Sequence, residues 1–230
     1  MTDKSRGVAD VYNVIAEKYA KLFPRQNELV DVFAAFMHAG GRVLDAGCGP
    51  GQDAAYLVGR GFGVDGIDLS PLMISLARKR CPNASFRVMD MRKLEGPAGR
   101  FDGAIAAFSL IHVPKANVDR VLANFRRALK SGGLLYLSVH EGVGEVVLNE
   151  PLCPEKRIFL SLFQEAEVER LLGKFGFKML LARRIKSKSK AEYECDKLFF
   201  IAKKAGGIPR RHARRRLRFR PRSAENFRKS

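Results

Sequence analysis

The 230-residue chain has no apolar run long enough to cross a bilayer. Spanning takes about 20 consecutive apolar residues. The longest apolar stretch, Ala104 to Val113, is interrupted by Ser109 and His112. The N-terminus, Met-Thr-Asp-Lys-Ser-Arg-Gly, offers no apolar signal region. Cysteine is scarce. Cys48, Cys81, Cys153 and Cys195 are scattered and form no Cys-x-x-Cys pair, which argues against a zinc site and for a reducing compartment. A cytoplasmic protein with no membrane partner and no metal is expected. No internal repeat is visible.

Acid is nearly missing from the last stretch. Lys203 to Ser230 holds twelve Lys/Arg against one acid, Glu225, placing a net +11 of the total +18 there. Basic character therefore belongs mainly to this tail and to Arg183–Lys190. Gly206-Gly207-Ile208-Pro209 opens the tail, few apolar residues follow, and like charges repel. Residues 206–230 are predicted to be a disordered basic tail. The remaining chain is rich enough in apolar residues, 46% overall, for one domain with a full core.

The chain is organised around Val43 to Asp53, Val-Leu-Asp-Ala-Gly-Cys-Gly-Pro-Gly-Gln-Asp. A short apolar run meets Asp45, then Gly47, Gly49 and Gly51, then a helix-like run. This is the start of a βαβ unit. Glycine permits φ > 0 and lets a ligand lie close to the backbone. A dinucleotide fingerprint would run Gly-x-Gly-x-x-Gly, with pyrophosphate at the helix N-terminus. Gly47 and Gly49 fit it, but the third position falls on Gln52. An acid beside the loop suits a ligand carrying an ammonium group better than one carrying phosphates. Gly63 to Asp68 reads as a second strand ending in an acid, 21 residues after Gly47. That spacing suits a carboxylate accepting from a ribose diol, and it is shared with dinucleotide folds.

The Asp-x-Gly-x-Gly-x-Gly loop closely resembles the cofactor loop of class I S-adenosylmethionine-dependent methyltransferases. Leu69-Ser70-Pro71-Leu72-Met73 is similar to the family's turn into a helix beside the adenine. Asp90, followed by Met91 at the end of a third strand, resembles the family site where an acid meets the adenine amino group. The Phe101-Asp102 strand and the Leu129-Lys130-Ser131-Gly132-Gly133 turn complete the likeness, which covers about residues 10 to 204. The resemblance implies a doubly wound, Rossmann-like α/β fold. It has a seven-stranded sheet with the last strand antiparallel, an N-terminal helical cap and S-adenosyl-L-methionine as cofactor. Its expected binding residues are Asp45, Gly47, Gly49, Gly51, Asp68, Leu69, Met73, Asp90, Met91 and Phe108.

Periodicity supplies the remaining elements. Val11, Val14, Ile15, Lys18, Tyr19 and Leu22 predict a helix over about Val8–Phe23, ended by Pro24. A second helix is predicted over Glu28–His38, so residues 1–38 form the cap and 39–205 the main domain. Strands are predicted at 42–46, 63–68, 86–90, 101–109, 134–139, 177–185 and 197–203. Val118, Val121, Leu122, Phe125 and Leu129 share one helix face, with Gly132-Gly133 as its C-cap. Residues 140–163 hold Gly142, Gly144, Pro151 and Pro154 with little periodicity. They read as a long loop and a candidate substrate lid.

Chemistry narrows the acceptor. Enzymes that methylate amino groups of adenine or glutamine carry an Asn/Asp-Pro-Pro-aromatic run after strand four; here the position reads Phe108-Ser109-Leu110-Ile111. A pyrimidine C5 enzyme needs a cysteine, and none lies between Cys81 and Cys153. His112 and His140 follow strands four and five and are the candidate bases, with Tyr19 of the first helix as a third catalytic candidate. Glu141 and Arg157 could contact a polar substrate. The leading expectation is a methyltransferase for a small molecule. The alternative is an RNA (tRNA-type) methyltransferase that holds nucleic acid through the tail.

Overall fold

The computed structural model describes residues 4–24, 27, 29–186, 193 and 195–206. The predicted disordered tail, apart from Gly206, lies outside the described residues, and so does the RNA contact expected of it.

The helices are α1 (Lys4–Leu22), α2 (Val30–Phe36), α3 (Gln52–Gly59), α4 (Pro71–Arg80), α5 (Lys115–Ala128) and α6 (Glu165–Lys174). The strands β1 to β5 are Arg42–Ala46, Gly63–Asp68, Ser85–Val88, Phe101–Ala107 and Leu129–His140. Strands β6 to β9 are Glu145–Glu150, Cys153–Ser161, Phe177–Ile185 and Lys197–Lys204. Seven strands form one sheet in the order β3-β2-β1-β4-β5-β9-β8. The first five run parallel, while β9 is antiparallel to both β5 and β8. This is the expected Rossmann-like sheet. Its strand order reverses between β1 and β4, and that switch point is where open α/β sheets bind ligands.

Strand alternation builds the two layers. Leu44, Ala104, Ala106 and Leu135 point to the face covered by α5 and α6. Val43, Ile105, Tyr136 and Phe199 point to the face covered by α2, α3 and α4. Helix α5 buries Val118, Val121, Leu122, Phe125 and Ala128, spaced at three and four residues as one apolar stripe. Helix α4 starts where Ser70 Oγ accepts from Met73 N at 3.1 Å and Pro71 occupies the first turn, a favoured start on both counts.

Three expectations change. Helix α5 does not run on to a cap at Gly132-Gly133. It stops at Ala128 because Leu129 is extended (φ −76°, ψ 141°) and pairs with Phe101. Gly132, at φ 75°, lies in the irregular stretch before regular pairing resumes at Leu134.

Residues 140–163 are not a loop: β6 and β7 pair as a separate antiparallel hairpin. Ile158 and Phe159 of β7, with Leu152, pack on Val8, Val11 and Ile15 of α1. Residues 158–161 are buried on both sides, Leu160 in the main core, so the strand shows no two-residue alternation.

Helix α2, expected in the cap, instead packs Val30 and Phe33 into the main core. Phe33 lies edge-on to Tyr136, 6.1 Å between ring centroids. Among the described residues, no helix is long and apolar enough to cross a membrane.

Candidate functional site

The carboxyl ends of β1, β2 and β4 open into one cleft, roofed by α1 and by Asn27. The turn after β1 forms its floor. Gly47, Gly49 and Gly51 have φ of 81°, 50° and 81°, left-handed values that favour glycine. Two of them are also sterically required. A Cβ on Gly47 would lie 2.2 Å from the Ser109 Cβ, and one on Gly51 would lie 3.0 Å from the Ala77 Cα. Gly47 N and Cys48 N both donate to Ile67 O, at 2.7 and 3.0 Å.

Asp68 locks this loop to the next one. Its Oδ2 accepts from Gly49 N at 3.0 Å and its Oδ1 from Ser70 N at 2.8 Å. Each carboxylate oxygen has a second lone pair, so Asp68 can still accept from a diol. Asp53 at the start of α3 accepts from Asn27 N (2.6 Å) and Asn27 Nδ2 (2.7 Å). These two bonds tie the α1–α2 connection over the cleft.

Asp45 lies beneath the glycine loop at 1% exposure, and its Oδ2 has no hydrogen-bond partner. Burial, then the nearby charges of Asp53 and Asp68, push its carboxyl well up. Burial also raises Asp68 and raises Asp53 to about 6, against the opposing pull of the Asn27 hydrogen bonds. A buried carboxylate oxygen without a donor is costly. Three acids arranged around a glycine cradle form a site whose repulsion a cationic ligand relieves. Among the described residues, no group of three or more His, Cys, Asp or Glu is arranged to hold a metal.

The expected binding residues divide. Gly47, Gly49, Asp68, Leu69, Met73, Asp90, Met91 and Phe108 all line the cleft. Asp45 and Gly51 do not form its wall: Asp45 backs the loop, and Gly51 lets α3 approach Ala77 of α4. Asp90 is less available than expected, because Arg92 holds both its oxygens, Nε to Oδ2 at 2.8 Å and Nε to Oδ1 at 3.0 Å. Gln52, Asp53, Asn27 and Ser109 also line the cleft without having been singled out. Asp53 was legible only as the first acid after the loop, and Asn27 carried no signal.

The candidate bases also divide. His112, in a 3₁₀ turn after β4, lines the cleft. Its Nδ1 is 3.1 Å from Phe159 O and its Nε2 is 2.8 Å from Tyr12 Oη. A carbonyl only accepts, so Nδ1 carries the proton and Tyr12 donates to Nε2. Burial lowers His112 to about 4 and raises the Tyr12 phenol well above its usual value. The pair is therefore neutral near pH 7. Tyr19 lines the cleft edge-on to Tyr12, 5.9 Å between ring centroids, but the bond to the histidine belongs to Tyr12. His140, expected at the cleft, sits behind Phe108 with the rings stacked at 5.2 Å. It does not reach the cleft wall, because the end of β5 is covered by the Phe108 side chain.

Residues 43–133 match the family model described as a methyltransferase domain. The magnesium protoporphyrin IX methyltransferase of Arabidopsis thaliana chloroplasts is 29% identical over 152 residues, 61% of this chain and 47% of its own length. Among solved structures, the magnesium protoporphyrin IX methyltransferase of Synechocystis PCC 6803 with bound S-adenosylmethionine superposes with a TM-score of 0.69. It is 19% identical, covering 89% of this chain and 99% of that one. The [4+2]-cyclase SpnF superposes with a TM-score of 0.71 at 19% identity, covering 88% of this chain and 97% of that one. The chain spans less than half the length of the first curated relatives it matches. By its sheet and by the sequence of residues 43–133, the chain is similar to class I S-adenosylmethionine-dependent methyltransferases.

Proposed function

We propose that this chain is a cytoplasmic enzyme that moves a methyl group from S-adenosyl-L-methionine to a small-molecule acceptor. The observation that carries the reading is the unpartnered Asp45 oxygen beneath the glycine loop, with Asp53 and Asp68 beside it. Such a floor suits a cofactor that is cationic at both its sulfonium and its ammonium group. The four cysteines are free thiols, which suits a reducing compartment. A cleft roofed by α1 suits a small acceptor.

When bound, the cofactor supplies a methyl already activated on sulfur. The chain must then align the acceptor in line and exclude water. Asp68 would hold the ribose diol. Leu69, Met73 and Met91 would pack around the adenine, and the glycine loop, backed by Asp45, would hold the methionine end. Tyr12 Oη accepts a hydrogen bond from the acceptor hydroxyl, and takes up that proton as it passes its own to His112 Nε2. An imidazole held near 4 is a weak base towards a free alcohol. A hydroxyl that has gained a methyl while keeping its proton is a far stronger acid than imidazolium, so His112 suffices once transfer is under way.

Incubation with methyl-labelled cofactor and fractionated extract is expected to place label in small molecules. Label found only in RNA, or no transfer at all, would overturn the reading. In calorimetry, Asp68→Ala should weaken S-adenosylhomocysteine binding about ten- to a hundredfold, because a charged hydrogen bond is worth about 1.5–3 kcal/mol.

The acid cluster also sets a pH dependence. A cation favours the ionised acids, so cofactor binding near pH 6 should release protons. Affinity should weaken as pH falls through the Asp53 value of about 6. Titrations in two buffers of different ionisation heat measure the release, and equal apparent heats would remove the acids from this role.

A further inference from the structure

The charges that line the cleft belong to its cofactor end: Asp53, Asp68 and the Asp90–Arg92 pair. The other end is walled by Val8, Tyr19, Phe108 and Val113, with Tyr12 and His112 between them. Its polar side-chain groups are the two tyrosine hydroxyls and the imidazole.

Hydrogen-bond polarity at this end is set from outside the cleft. The Phe159 carbonyl of β7 accepts from His112 Nδ1 at 3.1 Å, so Nε2 can only accept, and Tyr12 Oη commits its hydrogen to it at 2.8 Å. Oη is left with lone pairs alone and receives no hydrogen bond from the described residues. A partly buried oxygen without a donor is costly. An O–H or N–H on the substrate relieves it, whereas a carboxylate or an ether cannot.

Phe108 supplies a fixed flat wall. Its φ of 48° is unusual for so large a side chain. Phe108 N holds that backbone by donating to Ser138 O (3.1 Å) and Ser138 Oγ (3.0 Å). Behind the ring, His140 stacks at 5.2 Å between centroids and Phe199 packs edge-on at 5.7 Å. A ring backed in this way is a platform for another ring on its cleft side.

We propose that the substrate is an uncharged aromatic hydroxyl compound that lies on Phe108 and donates its O–H to Tyr12 Oη. The inference rests on the methyltransferase reading and names the class of its substrate. Apolar walls suit an uncharged body. Oxygen is favoured over nitrogen because a neutral amine attacks without a base, and the Tyr12–His112 pair is placed to relay a proton. The O–CH₃ bond forms as the S–CH₃ bond breaks, the bonding pair stays on sulfur, and the O–H proton passes through Tyr12 to His112. Burial holds His112 near 4, so it sheds that proton at neutral pH and Tyr12 turns back to Nε2. The ether product then meets lone pairs with no donor to offer. The arrangement that selects the substrate thus loosens the product.

The test uses calorimetry on the full chain saturated with S-adenosylhomocysteine. The probes are 2-naphthol, its methyl ether 2-methoxynaphthalene, 2-naphthoate and the saturated alcohol decahydro-2-naphthol. 2-Naphthol should bind about tenfold or more tightly than the ether or the carboxylate, the cost of leaving Oη unpaired. It should bind about threefold or more tightly than the saturated alcohol, which cannot stack. In Tyr12→Phe the preference for 2-naphthol over its ether should fall below about threefold, with S-adenosylhomocysteine binding retained. A tyrosine that only packs would weaken both probes alike. Equal binding of the ether, the carboxylate or the saturated alcohol would overturn the proposal. So would an unchanged preference in Tyr12→Phe, or no binding by any probe. If Tyr12→Phe fails to fold, its lost S-adenosylhomocysteine binding shows it, and the wild-type preferences decide alone. Failure of the methyltransferase reading is separate: the wild-type chain would not bind S-adenosylhomocysteine.

Discussion

Tyr12→Phe is expected to lower turnover about a hundredfold or more, with S-adenosylhomocysteine affinity changed less than about threefold, since positioned acid–base groups contribute about 10²–10⁴. The substitution removes the one hydroxyl bonded to His112 Nε2 and leaves the ring, with its edge contact to Tyr19, in place. His112→Gln should have a similar effect. The double variant should be little worse than either single one, because the two side chains act as a unit. Tyr19→Phe, with the hydroxyl lost outside that bond, should retain most activity. Single-turnover rates and calorimetry on folded variants measure all four. Near-normal turnover in Tyr12→Phe would assign the pair to packing. Multiplying effects in the double variant would separate their roles.

Gly47→Ala is expected to abolish cofactor binding and to destabilise the fold by roughly 2–5 kcal/mol, combining a left-handed backbone penalty with overpacking. For a domain this size that is a fall in Tm of about 5–20 °C. The new Cβ would meet Ser109 Cβ at 2.2 Å. Ser109 cannot retreat freely, because its Oγ donates to Ala46 O at 2.6 Å. The loop must shift instead, carrying Gly49 N away from Asp68 Oδ2. Gly99→Ala is the control: it also has positive φ, 64°, but nothing lies within 4 Å of its Cβ position. It should therefore pay the backbone penalty alone and keep cofactor affinity. Equal losses in the two variants would show that backbone strain, and not the contact with Ser109, makes Gly47 necessary.

What could be read from the sequence is what local physics encodes. The β1 turn was legible because three residues with φ > 0 at alternate positions demand glycine, and glycine at that spacing is visible in one dimension. Asp68 was legible because β2 must span a set length before its carboxyl end meets the loop. The parallel strands showed as apolar runs because both faces are covered, and α5 showed as a stripe because one face is. The hairpin of β6 and β7 was hidden, since its partner is α1, more than a hundred residues earlier, and its prolines read as loop.

Tertiary structure alone decided the catalytic geometry. Both tyrosines sit on the cleft side of α1, and nothing in their spacing says which reaches a histidine 100 residues on. His112 and His140 each follow a strand, yet one faces the cleft and the other is covered by Phe108. Lys197 looked like one more basic residue near the end of the chain. Only antiparallel pairing with β5 sets it opposite His140. Charge and periodicity are properties of neighbours along the chain, whereas hydrogen-bond partners and burial belong to neighbours in space.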